Sequence, residues 1–200
     1  MWQYAIYLVS LGAIVQLIGI FSYIKDTVRG NTKPNKMTWL LWAVAPLIGA
    51  AAAISDGVTW AVLPVLAFGL ASCLVFIFSF VNKNSYWKLG RLDYYCGGFS
   101  LLALILWWIT KIPEIAILFA IVSDGLAALP TLIKAWKYPE TENAGPFTMG
   151  ILNSLTSFTA ITKWTFSASA FPIYLVIMNI AITFAILRHK IFQKNILLKK

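Results

Sequence analysis

Apolar residues occur in seven long runs along the chain, separated by short segments rich in charged residues, proline and glycine. The runs are approximately Tyr4–Ile24, Met37–Ile54, Trp60–Val81, Tyr94–Ile109, Glu114–Trp136, Phe147–Thr162 and Phe171–Leu187. A helix needs about 20 mostly apolar residues to cross a bilayer, and a backbone in lipid must satisfy its own hydrogen bonds. The pattern therefore predicts an all-α membrane protein with seven transmembrane helices.

The composition supports this prediction. Of the 200 residues, 60% are apolar and 12% are charged, against roughly 45–50% apolar residues in an ordinary globular protein. A soluble domain of this size cannot enclose so much apolar surface, so we exclude a soluble enzyme and a disordered chain. One histidine and two cysteines without ligand spacing predict no metal site and no cofactor.

The basic residues are distributed unevenly between the predicted loops. Of 16 lysines and arginines, 14 follow the first, third, fifth and seventh runs, and only Lys111 and Lys163 lie on the other side. Because cytoplasmic loops carry the excess of Lys and Arg, we expect a multi-pass protein of the cell membrane with its amino terminus outside and its carboxyl terminus in the cytoplasm. The net charge of +9 then lies beside anionic lipid headgroups. The lipid bilayer is thus an expected partner, and nucleic acid is not.

The first three runs and the last three share a weak internal repeat. Three residue pairs keep a spacing of 107 to 109 positions: Lys25 and Lys134, Ala53 and Ala160, Pro64 and Pro172. An odd number of spans in the middle makes the two triplets parallel, related by an axis along the membrane normal. The predicted parts are a first three-helix repeat (1–82), a linker with the fourth helix (83–112), a second three-helix repeat (113–188) and a basic cytoplasmic tail (189–200).

A proline also stands at the junction between the first and second span of each triplet, in Pro34-Asn35 and in Pro146-Phe147. With this feature, the three-plus-one-plus-three layout resembles the SWEET sugar transporters and the wider PQ-loop superfamily, whose Pro-Gln dipeptide these pairs replace. SWEET proteins carry asparagines in the third helix of each triplet, and Asn179 fits that position. The resemblance implies a transporter of small solutes.

Asp124 is the one acidic residue near the middle of a predicted span. A lone carboxylate at this depth is costly unless it is protonated, paired or facing water. Two interpretations stay open, a neutral acid hydrogen-bonded between helices and a proton relay or substrate anchor.

Other polar residues lie at a similar predicted depth, and polar groups from different helices at one depth converge on the binding site of repeat transporters. The candidate substrate-binding residues are therefore Asp124, Asn153, Asn179, Gln16, Ser72, Trp39 and Trp42. The two tryptophans also fit an interfacial aromatic belt. Four prolines in or near the runs are candidate hinges, namely Pro46, Pro64, Pro130 and Pro172.

The sequence favours a transporter or facilitator for a small polar solute such as a sugar, an amino acid or a vitamin, working by alternating access, with proton coupling through Asp124 as an open possibility. A ligand-binding receptor or sensor on the same scaffold is the alternative. A retinal protein is not expected, because the seventh run has no lysine. An enzyme is not expected either, because an aspartyl protease needs a second membrane carboxylate and a metalloprotease needs a histidine pair, and the sequence has neither.

Overall fold

The computed structural model describes residues 2–85, 87–110 and 112–197, and within these ranges the chain forms seven α-helices and no β-strand. The helices are α1 (Trp2–Arg29), α2 (Lys36–Ser55), α3 (Leu63–Phe78), α4 (Arg91–Thr110), α5 (Pro113–Lys137), α6 (Gly145–Ala160) and α7 (Phe166–Leu197). The prediction of an all-helical protein with seven helices is therefore confirmed. Lys111 and the last three residues of the predicted basic tail lie outside the described ranges.

Several helices differ in length from the apolar runs. Helix α3 begins at Leu63, later than predicted, because a 3₁₀ turn at Trp60–Val62 precedes it and Pro64 occupies its first turn. Helix α7 begins at Phe166, where the Thr165 side chain accepts a hydrogen bond from the Ala168 amide. Apolar runs mark where a helix is buried, whereas capping residues and prolines decide where it begins.

Five of the helical segments are long and apolar enough to cross a membrane. They are Tyr4–Arg29, Lys36–Ser55, Trp60–Phe78, Pro113–Lys137 and Phe166–Arg188. Helix α6 has only 16 residues, a length of about 24 Å against a hydrocarbon core of about 30 Å. Large apolar side chains on the outside of the bundle, such as Ile14, Leu70 and Ile177, are more than half exposed. These features are compatible with a multi-pass protein in contact with lipid.

The helices pack in a regular order. Helix α3 packs against both α1 and α2, and α7 packs against both α5 and α6. Helix α1 lies along α6, and α2 lies along α5. Helix α4 packs on α5 and, less extensively, on α2. Most contacts between the first three helices and the last three therefore run along two seams, α1–α6 and α2–α5, and smaller contacts join α3 to α6 and α2 to α7.

The loops gather at two ends of the bundle. At one end the Lys33 amide donates to the Thr141 carbonyl at 3.0 Å, and the Asn82 side chain donates to the Val28 carbonyl at 2.8 Å. We call this the basic end, because the α1–α2, α3–α4 and α5–α6 loops meet there with most of the basic residues. The α2–α3 and α6–α7 loops lie at the other end, which we call the opposite end.

Three of the predicted hinge prolines lie inside continuous helices. Helices α2, α5 and α7 run through Pro46, Pro130 and Pro172 respectively. Pro64 lies in the first turn of α3, where its missing N–H interrupts no helical hydrogen bond. Pro64 therefore starts its helix, whereas each of the other three removes one backbone hydrogen bond from a helix interior.

Candidate functional site

Buried polar atoms without a protein partner concentrate on the two seams of the bundle. Gln16 is fully buried, and neither atom of its side-chain amide has a hydrogen-bond partner. Asp124 Oδ1, Asn153 Oδ1 and Ser157 Oγ are also buried without a partner. We call these four residues the central polar layer. Buried polar atoms in proteins are almost always hydrogen-bonded, so this layer has capacity to bind water or a polar solute.

Asp124 lies on the α2–α5 seam. Its Oδ2 accepts a hydrogen bond from the Tyr174 hydroxyl at 2.7 Å, and its backbone carbonyl accepts one from the Trp42 indole at 3.3 Å. Only 1% of Asp124 is exposed. The carboxyl group is therefore held by α7, and one of its oxygens remains available.

Gln16 lies on the α1–α6 seam. Toward the amino terminus of α1, Gly12 is close to Asn153, and toward the carboxyl terminus Gly19 is close to Gly145. The helices α1 and α6 are therefore antiparallel, and Gln16 lies between these two contacts along α1. On α6, the Asn179 side chain is in close contact with Gly150.

The other predicted amide and hydroxyl groups have partners. Asn153 Nδ2 donates to the Pro64 carbonyl at 2.9 Å, and Asn179 Nδ2 donates to the Leu175 carbonyl at 2.8 Å. Ser72 donates to the Phe68 carbonyl of its own helix at 2.9 Å. Ser72 is thus buried with its hydroxyl proton already used, which makes it less available to a solute than Gln16 or Asp124.

A cluster of aromatic rings fills the bundle between the central polar layer and the basic end. Trp39 packs on Tyr23, Trp42 and Phe147 with ring centroids 5.0, 5.2 and 6.2 Å apart, and Trp42 packs on Phe68 at 6.0 Å. We call these five residues the aromatic layer. Both tryptophans are 1% exposed, so they lie in the core and not in an interfacial belt.

A buried ion pair lies beyond the aromatic layer, nearer the basic end. Lys134 Nζ is 2.7 Å from Glu142 Oε1, and the Tyr23 hydroxyl donates to Glu142 Oε2 at 2.8 Å. The ammonium also donates to the Lys33 carbonyl and lies 4.8 Å from the centre of the Trp87 ring. The pair joins the end of α5 and the α5–α6 loop to α1 and the α1–α2 loop.

Two cavities lie at the opposite end of the bundle. A surface cavity of about 110 Å³ lies between the α2–α3 and α6–α7 loops. It shares Val58, Ala61 and Ala168 with a smaller cavity of about 10 Å³ that reaches inward to Phe171. The Phe171 ring lies against Gly49 and contacts the Tyr174 ring edge to face at 5.8 Å. Phe171 thus separates this pathway from the Asp124–Tyr174 pair.

A cleft of about 640 Å³ opens at the basic end, lined by Asp26, Glu140, Glu142 and Asn143 among others. Glu142 of the ion pair forms part of its wall, and the aromatic layer lies deeper in the bundle. The ion pair and the aromatic layer therefore lie between this cleft and the Asp124 carboxyl group.

Sequence reasoning missed several residues of this region. It counted Lys134 with the basic collar and placed Glu142 in a loop, although the two form a buried pair. It also passed over Tyr174 and Phe171 as ordinary apolar residues of α7. Tyr174, whose hydroxyl binds the Asp124 side chain, carries no local sequence signal, because the contact is made between helices far apart in sequence.

The described residues bring no three His, Cys, Asp or Glu side chains together as a metal site would need. The arrangement offers a carboxyl group, an amide and hydroxyls in an apolar bundle, which suits reversible binding of a small polar molecule. Comparison with known proteins finds no matching family model, no matching characterised protein and no matching solved structure.

Proposed function

We propose that this protein is a multi-pass membrane transporter that carries a small polar solute by alternating access around the central polar layer. The observation that carries the proposal is the position of that layer. Unpartnered polar atoms of Gln16 and Asp124 are buried near the middle of α1 and α5 in an apolar bundle. Repeat transporters bind their substrates near the membrane midplane at the interface of the repeats, and this position supports a site of that kind.

We further propose that the two sets of three helices are a parallel repeat joined by α4. The neighbour relations support this, because α3 contacts α1 and α2 as α7 contacts α5 and α6. The repeat makes α1 equivalent to α5 and α2 equivalent to α6. Exchanging the two sets of helices therefore turns the α1–α6 seam into the α2–α5 seam, and both seams are present. An approximate two-fold axis along the bundle accounts for both relations.

The register of individual residues supports a repeat of 108 positions. On the α2–α5 seam Trp42 is hydrogen-bonded to Asp124, and 108 positions relate this pair to Gly150 and Gln16, which lie on the two helices of the α1–α6 seam. Positions 16 and 124 are then equivalent in the two halves, as are positions 42 and 150.

Two asparagines extend this register to the basic end. Asn35 Oδ1 accepts hydrogen bonds from the first amides of α2, and Asn143 Oδ1 accepts one from the first amide of α6. They are 108 positions apart. Both asparagines thus bind an amide at the start of a helix. Asn35 is the N-cap of α2, one residue after Pro34, and Asn143 lies one residue before the N-cap of α6, three residues before Pro146.

Trp39 and Phe147 are also 108 positions apart, and their rings touch. Two equivalent residues that contact each other lie on the axis that relates them. We therefore infer that the proposed axis passes through the aromatic layer, and that the transport pathway follows the same axis past Trp42.

The proposed arrangement is similar to that of SWEET and PQ-loop transporters. With the basic end in the cytoplasm, as the distribution of Lys and Arg favours, the ion pair and the aromatic layer lie on the cytoplasmic side of Asp124, and Phe171 lies on its outer side. Pro46, Pro130 and Pro172 supply points at which helices of both halves bend during the change of access.

Solute flux into proteoliposomes tests this proposal. The purified full-length chain is reconstituted, loaded vesicles are exposed to labelled sugars, amino acids and vitamins in separate pools, and exchange is measured against protein-free vesicles. Saturable, chain-dependent exchange of one class is the expected result. Specific binding without exchange for any pool would contradict transport and favour a ligand-binding receptor on the same scaffold.

A further inference from the structure

We propose that the solute carries one ammonium group, which binds the free carboxyl oxygen of Asp124. This inference rests on the transport site proposed above and names the chemical class of its substrate. The class is a small monocationic amine.

The first argument is the state of the Asp124 carboxyl group. Tyr174 binds Oδ2 and leaves Oδ1 buried without a partner. An ionised carboxylate in an apolar interior is unfavourable unless a cation or several hydrogen-bond donors compensate it. A protonated amine brings the missing charge and donors together.

The second argument is that the nearby part of the protein supplies no such cation. Lys134 is ten residues further along α5, which corresponds to about 15 Å, and its ammonium is bound by Glu142 and the Lys33 carbonyl. The other basic residues of the described helices lie close to the helix ends: in the last two turns of α1, in the first turns of α2 and α4, in the last turn of α5 or beyond residue 187 of α7. The counter-charge of Asp124 is therefore expected from the solute.

The third argument is the aromatic surroundings of the carboxyl group. The Tyr174 and Trp42 side chains both bond to Asp124, one through its carboxyl and one through its carbonyl. Phe171 contacts the Tyr174 ring on the side of the opposite-end pathway. Aromatic faces attract ammonium groups and repel carboxylates, so these rings favour a cation as it approaches.

The fourth argument is the number of buried carboxyl groups that lack a charged partner. Among the described residues, the buried Glu142 is paired with Lys134, and the buried Asp93 accepts hydrogen bonds from Asn35 and the Gly90 amide. Asp124 has only the Tyr174 hydroxyl. The site therefore has a single charge to neutralise, which favours a solute of charge +1 over a dication, a neutral sugar or an anion.

Three small probes of similar shape separate these classes: ethanolamine, which is a cation at pH 7, ethylene glycol, which is neutral, and glycolate, which is an anion. The purified full-length chain in lipid nanodiscs is titrated with each probe while its thermal unfolding is followed. We expect ethanolamine to stabilise the protein with an apparent affinity at least about tenfold above that of the other two. Equal or stronger stabilisation by ethylene glycol or glycolate, or no stabilisation by ethanolamine, would overturn the proposal.

Two variants on the same helix complete the experiment. Asp124→Asn should lower the apparent affinity for ethanolamine by about tenfold or more, whereas Glu114→Gln, which removes an exposed carboxylate from the first turn of α5, should leave it unchanged. Unchanged ethanolamine binding in Asp124→Asn would overturn the assignment. If Asp124→Asn does not fold, the ranking of the three probes with the unmodified chain decides whether the amine proposal stands.

Flux measurements keep this inference separate from the transport proposal. Uptake of a neutral or anionic solute that is insensitive to Asp124→Asn would overturn the amine assignment and leave transport standing. Binding of ethanolamine through Asp124 without flux of any amine would support the assignment and count against transport.

Discussion

Lys134 and Glu142 form an ion pair of 2.7 Å in which the two side chains are 1% and 0% exposed. Burial removes the hydration of both charges, so the pair itself adds little to stability, yet loss of one partner leaves an isolated charge in the interior. A contact of this kind is well suited to holding two parts of a protein together in one conformation and releasing them in another.

The ion pair gives the first prediction. Lys134→Met or Glu142→Gln alone should lower the free energy of unfolding by about 3–5 kcal/mol, because either leaves one buried charge. The double variant removes both charges and keeps an acceptor for Tyr23, so we expect it to be more stable than either single variant. Denaturant unfolding in mild detergent measures the effect.

Lys137→Met is the matched control, because Lys137 is exposed in the same last turn of α5. It should change stability by less than about 0.5 kcal/mol. A double variant whose destabilisation equals the sum of the two single ones would show that the charges are not coupled, contrary to the buried pair.

The second prediction concerns the pathway from the opposite end. Ser167 lines the inner cavity, is 4% exposed, and its hydroxyl has no partner among the described residues. In a chain with both native cysteines replaced, Ser167→Cys should react with a small thiol reagent, and Phe171→Ala should speed the reaction by widening the cavity.

Ser72→Cys is the control for this experiment, because Ser72 is fully buried and bonded within α3. It should stay unreactive under the same conditions. Reaction of both cysteines at equal rates would mean that the reagent reaches the interior by general unfolding and not through the cavity at the opposite end.

The third prediction concerns the close approach of α1 and α6. A Cβ atom at Gly19 would lie 2.7 Å from the Gly145 carbonyl oxygen, which belongs to the backbone and has little freedom to move. Gly19→Ala should therefore cost about 1–3 kcal/mol of stability despite the better helix propensity of alanine. Gly98→Ala meets no atom within 4 Å and should be neutral or stabilising by up to about 1 kcal/mol. Equal stability of the two variants would show that α1 and α6 are further apart.

Hydropathy predicted the number and approximate positions of the helices, because a run of apolar residues directly reflects the burial of a helix in core or lipid. The polar residues within runs were also informative, and Gln16 and Asp124 were both singled out. Partners were not predictable in the same way. Tyr174 is 50 positions from Asp124 and Glu142 is 119 positions from Tyr23, and no local pattern encodes which helices meet.

The alignment of the two proposed repeats was also not predictable from local sequence patterns. The sequence paired Pro34 with Pro146, four positions away from the 108-residue register proposed above. The side chains that bind the first amides of α2 and α6 are those of Asn35 and Asn143, which fit the proposed register. A proline near a helix start is compatible with several positions in the first turn, whereas a capping asparagine must lie next to the amides that it binds.

The fourth prediction concerns sidedness, which the distribution of basic residues favours but packing does not determine. Cysteines at Asn84 and Glu140, both exposed at the basic end, should react with a membrane-impermeant thiol reagent only when the cytoplasmic face is accessible. Cysteines at Asp56 and Thr165, exposed at the opposite end, should react in intact cells. Labelling of Asn84→Cys in intact cells would reverse the proposed orientation.

The last prediction tests the two-fold relation at its axis. Trp39 and Phe147 are each 1% exposed, contact each other at 6.2 Å between ring centroids, and occupy equivalent positions in the proposed repeat. Trp39→Phe alone should leave a cavity and cost about 1–2 kcal/mol, and Phe147→Trp alone should overpack the layer at a cost of about 1–3 kcal/mol.

The double variant, Trp39→Phe with Phe147→Trp, conserves the total volume and the two ring types at the axis. The indole nitrogen of Trp39 has no hydrogen-bond partner among the described residues, so no bond is lost in the exchange. We therefore expect the double variant to be more stable than the sum of the single effects by at least about 1 kcal/mol, and to retain solute exchange better than either single variant. Purely additive losses of stability would mean that the surroundings of the two rings are not equivalent, and the axis would then have to be placed elsewhere in the bundle.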